Sequence, residues 1–456
     1  MTTDVSTYVS AFLLVLFTVP PMALAQERPA SSQDADAPVL TLDEAISLAL
    51  QSNRLVKNAV LEAEKQNFRV NAARTRRLPS VQIGVLGGQL LHAFDFTFPA
   101  GAFGTYAETG PIPSTEAKVN TPSQFTTFMT GNIDFPLVNQ YKIGLGIHTT
   151  ELGRDIARED VRAERQKIAA DVRMAYFNLV ASQVAVDAAR EAVRTLEEAQ
   201  RVTARYVAEE TVLRAEALEV DARLAKSLYD LSVADNGVST QREHFNELLG
   251  RDLTMAFRVN PMLEEGAGEL TLAAARQQAL QNRPEIRQAR LKEQQAEYDR
   301  RIAKAEYIPD VSLSLRYLGF HNFEVLPTSV TTAGVFLTWE PFDWGRRSDN
   351  IAEKARTVIQ ARNGATETEA QIAVEVGMKY RQWQEASLLL KATRTGHAAA
   401  VEQLRVTTNR YAEQAVLIRD LLQGQSRSSD AGFQYQHALS TYWNALAELR
   451  RAIGDE

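Results

Sequence analysis

The chain of 456 residues contains no cysteine. That absence excludes disulfide bridges, thiolate metal sites, a cysteine nucleophile and a lipid anchor carried on an N-terminal cysteine. Beyond the N-terminal segment, no stretch approaches the roughly 18 consecutive apolar residues that a membrane-spanning helix needs. Any membrane crossing by the mature chain is therefore expected to use β-strands.

Positive charge is also scarce, because the formal net charge is -7 and no extended run of lysine or arginine occurs. Nucleic acid is therefore an unexpected partner, since phosphate binding needs clustered basic residues. The six histidines are scattered without metal-ligand spacing, and no phosphate-binding loop or dinucleotide fingerprint is present. The sequence predicts no catalytic residues, no metal and no cofactor, and the chain is not expected to be an enzyme.

The N-terminus has the pattern of a secretory signal peptide. The apolar segment Ala11–Val19 precedes the small-x-small sequence Ala23-Leu24-Ala25, which is typical of a cleavage site. Residues 1–25 are predicted to be removed on export and residues 26–39 to form a linker. A buried N-terminal helix is the alternative interpretation.

The rest of the chain contains an internal two-fold repeat. Identities recur 230 residues apart, including Thr41-Leu42 with Thr271-Leu272 and Ala49-Leu50-Gln51 with Ala279-Leu280-Gln281. A second correspondence, at about 204 or 205 residues, aligns Val172-x-Met174-x-Tyr176 with Val376-x-Met378-x-Tyr380. The predicted units are a first repeat at 40–250, a connecting segment at 251–270 and a second repeat at 271–456. Each repeat is predicted to contain, in order, a helix, two strands, a long helix and a further helix.

Each predicted repeat begins with a helix that ends at a proline. Residues Leu42 to Arg77 and Leu272 to Glu306 are rich in good helix formers. Proline cannot continue a helix, so four prolines are expected at the helix–strand junctions: Pro79, Pro136, Pro309 and Pro341.

Four segments show the period-2 alternation of β-strands. After Pro309, for example, Val311, Leu313 and Leu315 alternate with serines. The strands are about ten residues long, which suits a tilted transmembrane strand. A change of phase at Gly87-Gly88 predicts a bulge, and the segments Asp95 to Ser123 and His321 to Val330 are expected to be extracellular loops.

Two stretches are predicted to be unusually long helices. Glu151 to Tyr206 contains no proline, and from Ile168 to Leu196 its apolar residues alternate spacings of four and three, as in a coiled coil. Asp349 to Tyr411 repeats this design. Since four strands cannot close a barrel and open edges in lipid leave backbone groups unpaired, the chain is expected to oligomerise.

These features resemble the TolC-like outer-membrane efflux family. The resemblance is carried by Leu-x-x-Ala-x-x-x-Ala-Leu at Leu42 and Leu272, by Leu-Pro-x-Val at Leu78, and by the turns at Pro136-Leu137 and Pro341-Phe342. It implies a mixed α and β membrane protein, with four transmembrane strands per chain forming a trimeric twelve-stranded β-barrel above a periplasmic tube of antiparallel helices.

The same resemblance implies the location and the partners. The chain is expected in the outer membrane with its helical part in the periplasm, as a homotrimer bound to a periplasmic adaptor and an inner-membrane pump. It implies a passive export duct of a tripartite efflux or type I secretion system, for small molecules or proteins. The alternative is a periplasmic coiled-coil scaffold or adaptor protein without a barrel, and an exported helical enzyme is a third reading.

The resemblance also suggests where the periplasmic end closes. Glu216 and Asp420 occupy equivalent places and are the candidate pore constriction; Arg214 and Arg419 are the candidate latch. The solvated face of a helix is the alternative reading for both carboxylates. The turns between paired long helices are the candidate tips, with these residues: Tyr206, Glu209, Glu210, Tyr411 and Gln414.

Overall fold

The computed structural model describes residues 38–210, 213–260, 270–323, 326–413 and 415–455. The predicted signal peptide at 1–25 and most of the predicted linker at 26–39 lie outside these ranges. The described part contains these helices: α1 (Leu42–Ser52), α2 (Arg54–Thr75), α3 (Asn139–Ala208), α4 (Arg214–Leu248), α5 (Leu272–Asn282), α6 (Pro284–Ala305), α7 (Arg346–Ala412) and α8 (Ile418–Ala452).

The described part also contains these strands: β1 (Val39–Leu40), β2 (Ser80–Gln89), β3 (Phe94–Phe98), β4 (Thr105–Tyr106), β5 (Gly110–Pro111), β6 (Ala117–Thr121), β7 (Phe125–Pro136), β8 (Arg258–Val259), β9 (Asp310–His321) and β10 (Ser329–Thr338). Four of them, β10, β9, β7 and β2, form one antiparallel sheet in that order. They are the four segments that the alternation of the sequence predicts as strands.

The helices of the two halves agree in length. α1 and α5 each have 11 residues, α2 and α6 each have 22, and α4 and α8 each have 35. The long helices α3 and α7 have 70 and 67 residues. At a rise of 1.5 Å per residue, α3 is about 105 Å long.

The prediction of one continuous helix before each first strand is wrong. The first helix is interrupted at Asn53, whose backbone is extended and whose side-chain oxygen accepts a hydrogen bond from the N–H of Leu55 at 2.8 Å. Asn53 Nδ2 also donates to the carbonyl of Leu248 at 2.9 Å. In the second half the interruption is at Arg283, and Pro284 begins α6, where its missing N–H costs nothing.

The predicted bulge at Gly87-Gly88 is also wrong. Gly87 pairs with Thr127 and Gly88 with Thr126 in an unbroken register from Ser80 to Gln89. The two glycines simply lack side chains on an otherwise regular strand. The predicted extracellular loop at Asp95 to Ser123 contains strands of its own, because β3 pairs with β6 and β4 with β5.

The main core lies midway along the long helices. Tyr176 of α3, Phe245 of α4 and Phe257 are at most 1% exposed. The Tyr176 hydroxyl lies 3.3 Å from the Leu40 carbonyl and 3.4 Å from that of Asn260, beside the short parallel pair β1–β8. Burial raises the pKa of Tyr176, so its proton stays in place at physiological pH. Helix α1 and strand β8 therefore pack against the middle of α3.

Candidate functional site: the tips of the two long hairpins

The four junction prolines lie at the ends of the strands, as Pro79 and Pro309 each immediately precede a strand and Pro136 is the last residue of β7. Pro341 follows β10 and begins the turn into α7. Sequence reasoning missed the residue that fixes this turn, Arg347. Its side chain is 7% exposed and pairs with Glu340 at 2.8 Å and Asp343 at 3.4 Å.

The first candidate tip joins α3 to α4. Tyr206 is in the last turn of α3, Glu209 caps the helix, and Glu210 follows with a φ of 57°. This left-handed conformation favours glycine, because a Cβ atom is crowded there. A glutamate therefore occupies a position for which most sequences would use glycine, which explains why the composition of this turn gave no clear signal.

The second candidate tip joins α7 to α8. Tyr411 is buried in the last turn of α7, and the N–H of Ala415 donates to the carbonyl of Arg410 at 2.8 Å across the turn. The remaining tip residue predicted from the sequence, Gln414, lies outside the described residues.

The two hairpins are joined near their tips by a buried hydrogen bond. The hydroxyls of Thr203 on α3 and Tyr411 on α7 lie 3.1 Å apart, and Thr203 is fully buried. The ring of Tyr206 meets that of Tyr411 edge-on, with centroids 6.2 Å apart. Burial raises the pKa of Tyr411, an effect opposed by the bond to Thr203. Sequence reasoning selected both tyrosines but missed Thr203.

An apolar cluster surrounds this bond. It draws residues from both hairpins: Leu196, Ala199, Val220, Tyr411, Ile418, Leu421 and Leu422. The tips of the two hairpins therefore pack as one unit within a single chain.

The candidate constriction residues occupy the same place in their helices. Glu216 and Asp420 are each the third residue of α4 and α8, and both are partly exposed. The Asp420 carboxylate accepts a hydrogen bond from the N–H of Leu417 at 3.3 Å, so it also caps its helix. The bond satisfies a backbone donor that would otherwise lack a partner.

The candidate latch residues are both exposed. Arg419 is 78% exposed, and its Nε lies 4.0 Å from Asp420 Oδ1, at the limit of an ion pair. Arg214 begins α4 and also points to solvent. Within one chain neither arginine is held tightly, so both guanidinium groups are accessible to a neighbouring chain.

The described ranges give no indication of another kind of site. Among them, no helix is both long enough and apolar enough to cross a membrane. They also contain no group of three or more histidine, aspartate or glutamate side chains arranged to hold a metal ion. The described residues of the tips present charged side chains, Arg419 and Asp420 among them, and no nucleophile beside a base.

Comparison with known proteins finds a family match in the second half of the chain. Residues 275–455 match the family described as "Outer membrane efflux protein". None of the curated protein sequences compared with the chain matches it significantly.

Solved structures share the fold over nearly the whole chain. A membrane protein from Pseudomonas aeruginosa is 17% identical with a TM-score of 0.74, covering 95% of this chain and 97% of its own. The CmeC outer membrane channel of Campylobacter jejuni is 17% identical with a TM-score of 0.72, covering 95% and 90%. The open state of the MtrE outer membrane channel of Neisseria gonorrhoeae is 18% identical with a TM-score of 0.70, covering 91% and 89%.

The match of residues 275–455 and the shared fold agree with the family that the sequence motifs indicated. The chain thus has the fold of solved outer membrane channels. The four-stranded sheet and the tips of the hairpins lie at opposite ends of the long helices.

Proposed function

We propose that three copies of this chain assemble into a passive outer-membrane duct. An inner-membrane pump and a periplasmic adaptor would deliver small molecules or proteins to its periplasmic mouth, as in a tripartite efflux or type I secretion system. The observation that carries this proposal is a four-stranded sheet with an exposed apolar face and two open edges, placed at one end of very long helices.

The apolar face runs across all four strands. The register aligns Val81 of β2 with Ile133 of β7 and Leu315 of β9, and Leu313 pairs with Val335 of β10. These side chains are between 39% and 67% exposed in one chain. An apolar surface of this extent is unfavourable in water and is suited to lipid.

The opposite face of the sheet is mostly polar over its periplasmic half, where Phe336 is an exception. One row across the strands joins these residues: Gln82, Asn132, Arg316 and Thr332. A sheet that alternates apolar and polar faces in this way matches the wall of a water-filled barrel.

The two outer strands of the sheet, β2 and β10, each pair with one neighbour in the described chain. In lipid, each unpaired backbone group costs several kcal/mol. Three copies that join β2 of one chain to β10 of the next would pair these edges and give a barrel of twelve strands. This argument supports the trimer.

The internal repeat supports the same arrangement. The units at 40–250 and 271–456, joined by 251–270, supply matched helices, so that three chains would present six similar hairpins around one axis.

Fractionation and copurification test the proposal. A tagged chain expressed from its own locus is expected in the outer-membrane fraction, as a trimer in mild detergent, and with an adaptor and an inner-membrane pump after gentle cross-linking. Recovery as a water-soluble monomer would instead favour the periplasmic scaffold.

A further inference from the structure

A second apolar surface lies on the segment between β2 and β7, beyond the four-stranded sheet. Strands β3 and β6 pair as a ribbon with two unlike faces, because side chains alternate along a strand. One face, here called the apolar ribbon face, consists of Phe94, Phe96, Phe98, Ala117, Val119 and Thr121. The other face consists of Asp95, Thr97, Lys118 and Asn120.

Much of the apolar ribbon face is exposed in a single chain, although Thr121 at its base is fully buried. Phe94 and Phe96 are 49% and 37% exposed, and the ring of Phe96 stacks with that of Phe98 at 6.5 Å. Phe98 also contacts Phe103, which is 58% exposed, at 5.0 Å. A two-stranded ribbon is at best marginally stable in water. We therefore expect another surface to cover its row of exposed aromatic rings.

The ribbon continues the β2–β7 hairpin with one extra residue. The N–H of Leu90 donates to the carbonyl of Gln124 at 3.0 Å, and pairing resumes at Phe94 with Thr121. Three residues, 91–93, therefore oppose two, 122–123, and an insertion of this kind bends and twists a hairpin. Within β7, Phe125 and Met129 share the apolar face of the sheet.

The inner face of the sheet at this end is covered by the chain itself. The ring of Phe128 contacts that of Phe320 at 5.7 Å and that of Phe323 at 6.0 Å, and Thr126 is 2% exposed. Phe128 and Met129 lie on opposite faces because they are consecutive in β7. The rings of Phe320 and Phe323 thus lie on the inner side.

The same loop fixes the base of the ribbon. Asn322 Nδ2 donates to the carbonyl of Phe125 at 2.9 Å, and Gln124 Nε2 donates to the carbonyl of Asn322 at 3.1 Å. These two hydrogen bonds hold the ribbon where it leaves the sheet, beside the apolar face that carries Phe125 and Met129.

We propose that the apolar ribbon face of each chain lies on the outer leaflet of the membrane that surrounds the barrel, as an interfacial anchor. This inference rests on the proposed function, because it needs the sheet to be in the membrane. The phenylalanine rings would enter the boundary between headgroups and acyl chains, and the charged face would stay in water.

Site-directed spin labelling tests this directly, since the chain has no native cysteine. Phe96→Cys and the adjacent Thr97→Cys would each carry a nitroxide on the trimer, reconstituted in vesicles of phosphatidylethanolamine and phosphatidylglycerol. Oxygen partitions into lipid, and a nickel chelate stays in water. The ratio of oxygen to nickel collision rates is expected to be several-fold higher at position 96 than at position 97.

A label at Val335→Cys, on the apolar face of β10, separates the two proposals. High oxygen access there with high nickel access at both 96 and 97 would overturn the anchor and leave the duct intact. Exclusion of both reagents at 96, with spin–spin broadening, would mean that the ribbons pack on one another, and would also overturn the anchor. High nickel access at Val335→Cys would contradict the membrane-embedded sheet itself.

Discussion

Helices α2 and α6 have the same length and occupy equivalent places in the two halves of the chain, but they pack against different numbers of long helices. α6 packs against both α3 and α7, whereas α2 packs against α3. Tyr298 of α6 lies beside His148 of α3, with ring centroids 5.4 Å apart. Its counterpart in α2, Phe68, is 72% exposed.

The exposed apolar residues of α2 indicate a surface that is not covered within a single chain. Leu61, the counterpart of Leu291, is likewise exposed on α2, at 55%. Since α6 presents Leu291 and Tyr298 towards α3, and α7 is the counterpart of α3, the proposed trimer would place α7 of another copy against α2. Exposed apolar residues on α2 are therefore the interface that we propose between copies of the chain.

The largest effect is expected from Phe68→Glu. A carboxylate placed in an apolar interface costs several kcal/mol unless it is paired, and a closed trimer would contain it three times. The variant should run as a monomer in mild detergent. Tyr106→Glu is the matched control, because it places a carboxylate at another exposed aromatic residue. Tyr106 lies on the loop and is 55% exposed, and this variant should remain trimeric. A trimeric Phe68→Glu protein would remove α2 from the proposed interface.

A second comparison concerns equivalent carboxylates on the long helices, Glu375 on α7 and Asp171 on α3. Glu375 pairs with Arg283 and Arg451, each at 3.1 Å, and the Arg283 side chain is only 7% exposed. Glu375→Gln is expected to lower stability by about 2 kcal/mol, because it deprives a buried charge of a partner. The thermal midpoint of the detergent-solubilised protein measures this, and an unchanged midpoint would show that Glu285 suffices for Arg283.

Asp171→Asn is expected to raise stability at neutral pH, whereas Glu375→Gln is expected to lower it. Burial raises the pKa of Asp171, although Lys167 and Arg451 oppose that shift. The folded state thus favours the protonated carboxyl, and ionised Asp171 reduces stability above its folded pKa. The variant should gain thermal stability at pH 7, and the gain should disappear as the pH falls towards the unfolded value. A gain that is independent of pH would contradict this origin.

The smallest expected effect lies at the tips, where Glu216 and Asp420 occupy the same helical position but only Asp420 is seen to cap its helix. If three-fold symmetry repeats both carboxylates around a narrow mouth, their replacement by alanine should reduce cation selectivity in planar bilayers. Asp420→Ala should also lower stability by about 1 kcal/mol through the lost cap. Arg419→Ala should raise conductance, and unchanged selectivity and conductance would favour the solvated helix face.

Much of the fold was predictable because its signals are local. Alternation such as Val311, Leu313 and Leu315 defines a strand without reference to the rest of the chain, and Pro79 and Pro309 end their helices by their own geometry. The break at Arg283 was signalled by Pro284, which disfavours helical backbone at the residue before it, and the break at Asn53 has no such local signal. The Asn53 cap is supported by Leu248, which is 195 residues away in the sequence.

The candidate site was predictable only in part. Tyr206 and Tyr411 follow from the repeat, but the bond between Thr203 and Tyr411 depends on the register of helices from different halves, 208 residues apart. Nothing in the local sequence fixes that register. The left-handed conformation of Glu210 was missed for a related reason, since the turn imposes it on a residue that disfavours it.

Cross-linking of single cysteines on α2 and α7 tests the trimeric duct most directly. Phe68→Cys and Ala352→Cys lie at positions equivalent to Tyr298 and His148, which are in contact within the chain. In outer membranes treated with a short bismaleimide, the double variant should give a covalent trimer, and each single variant should give none. If both thiols of the double variant react with a maleimide but no cross-linked chains form, the proposed assembly is contradicted.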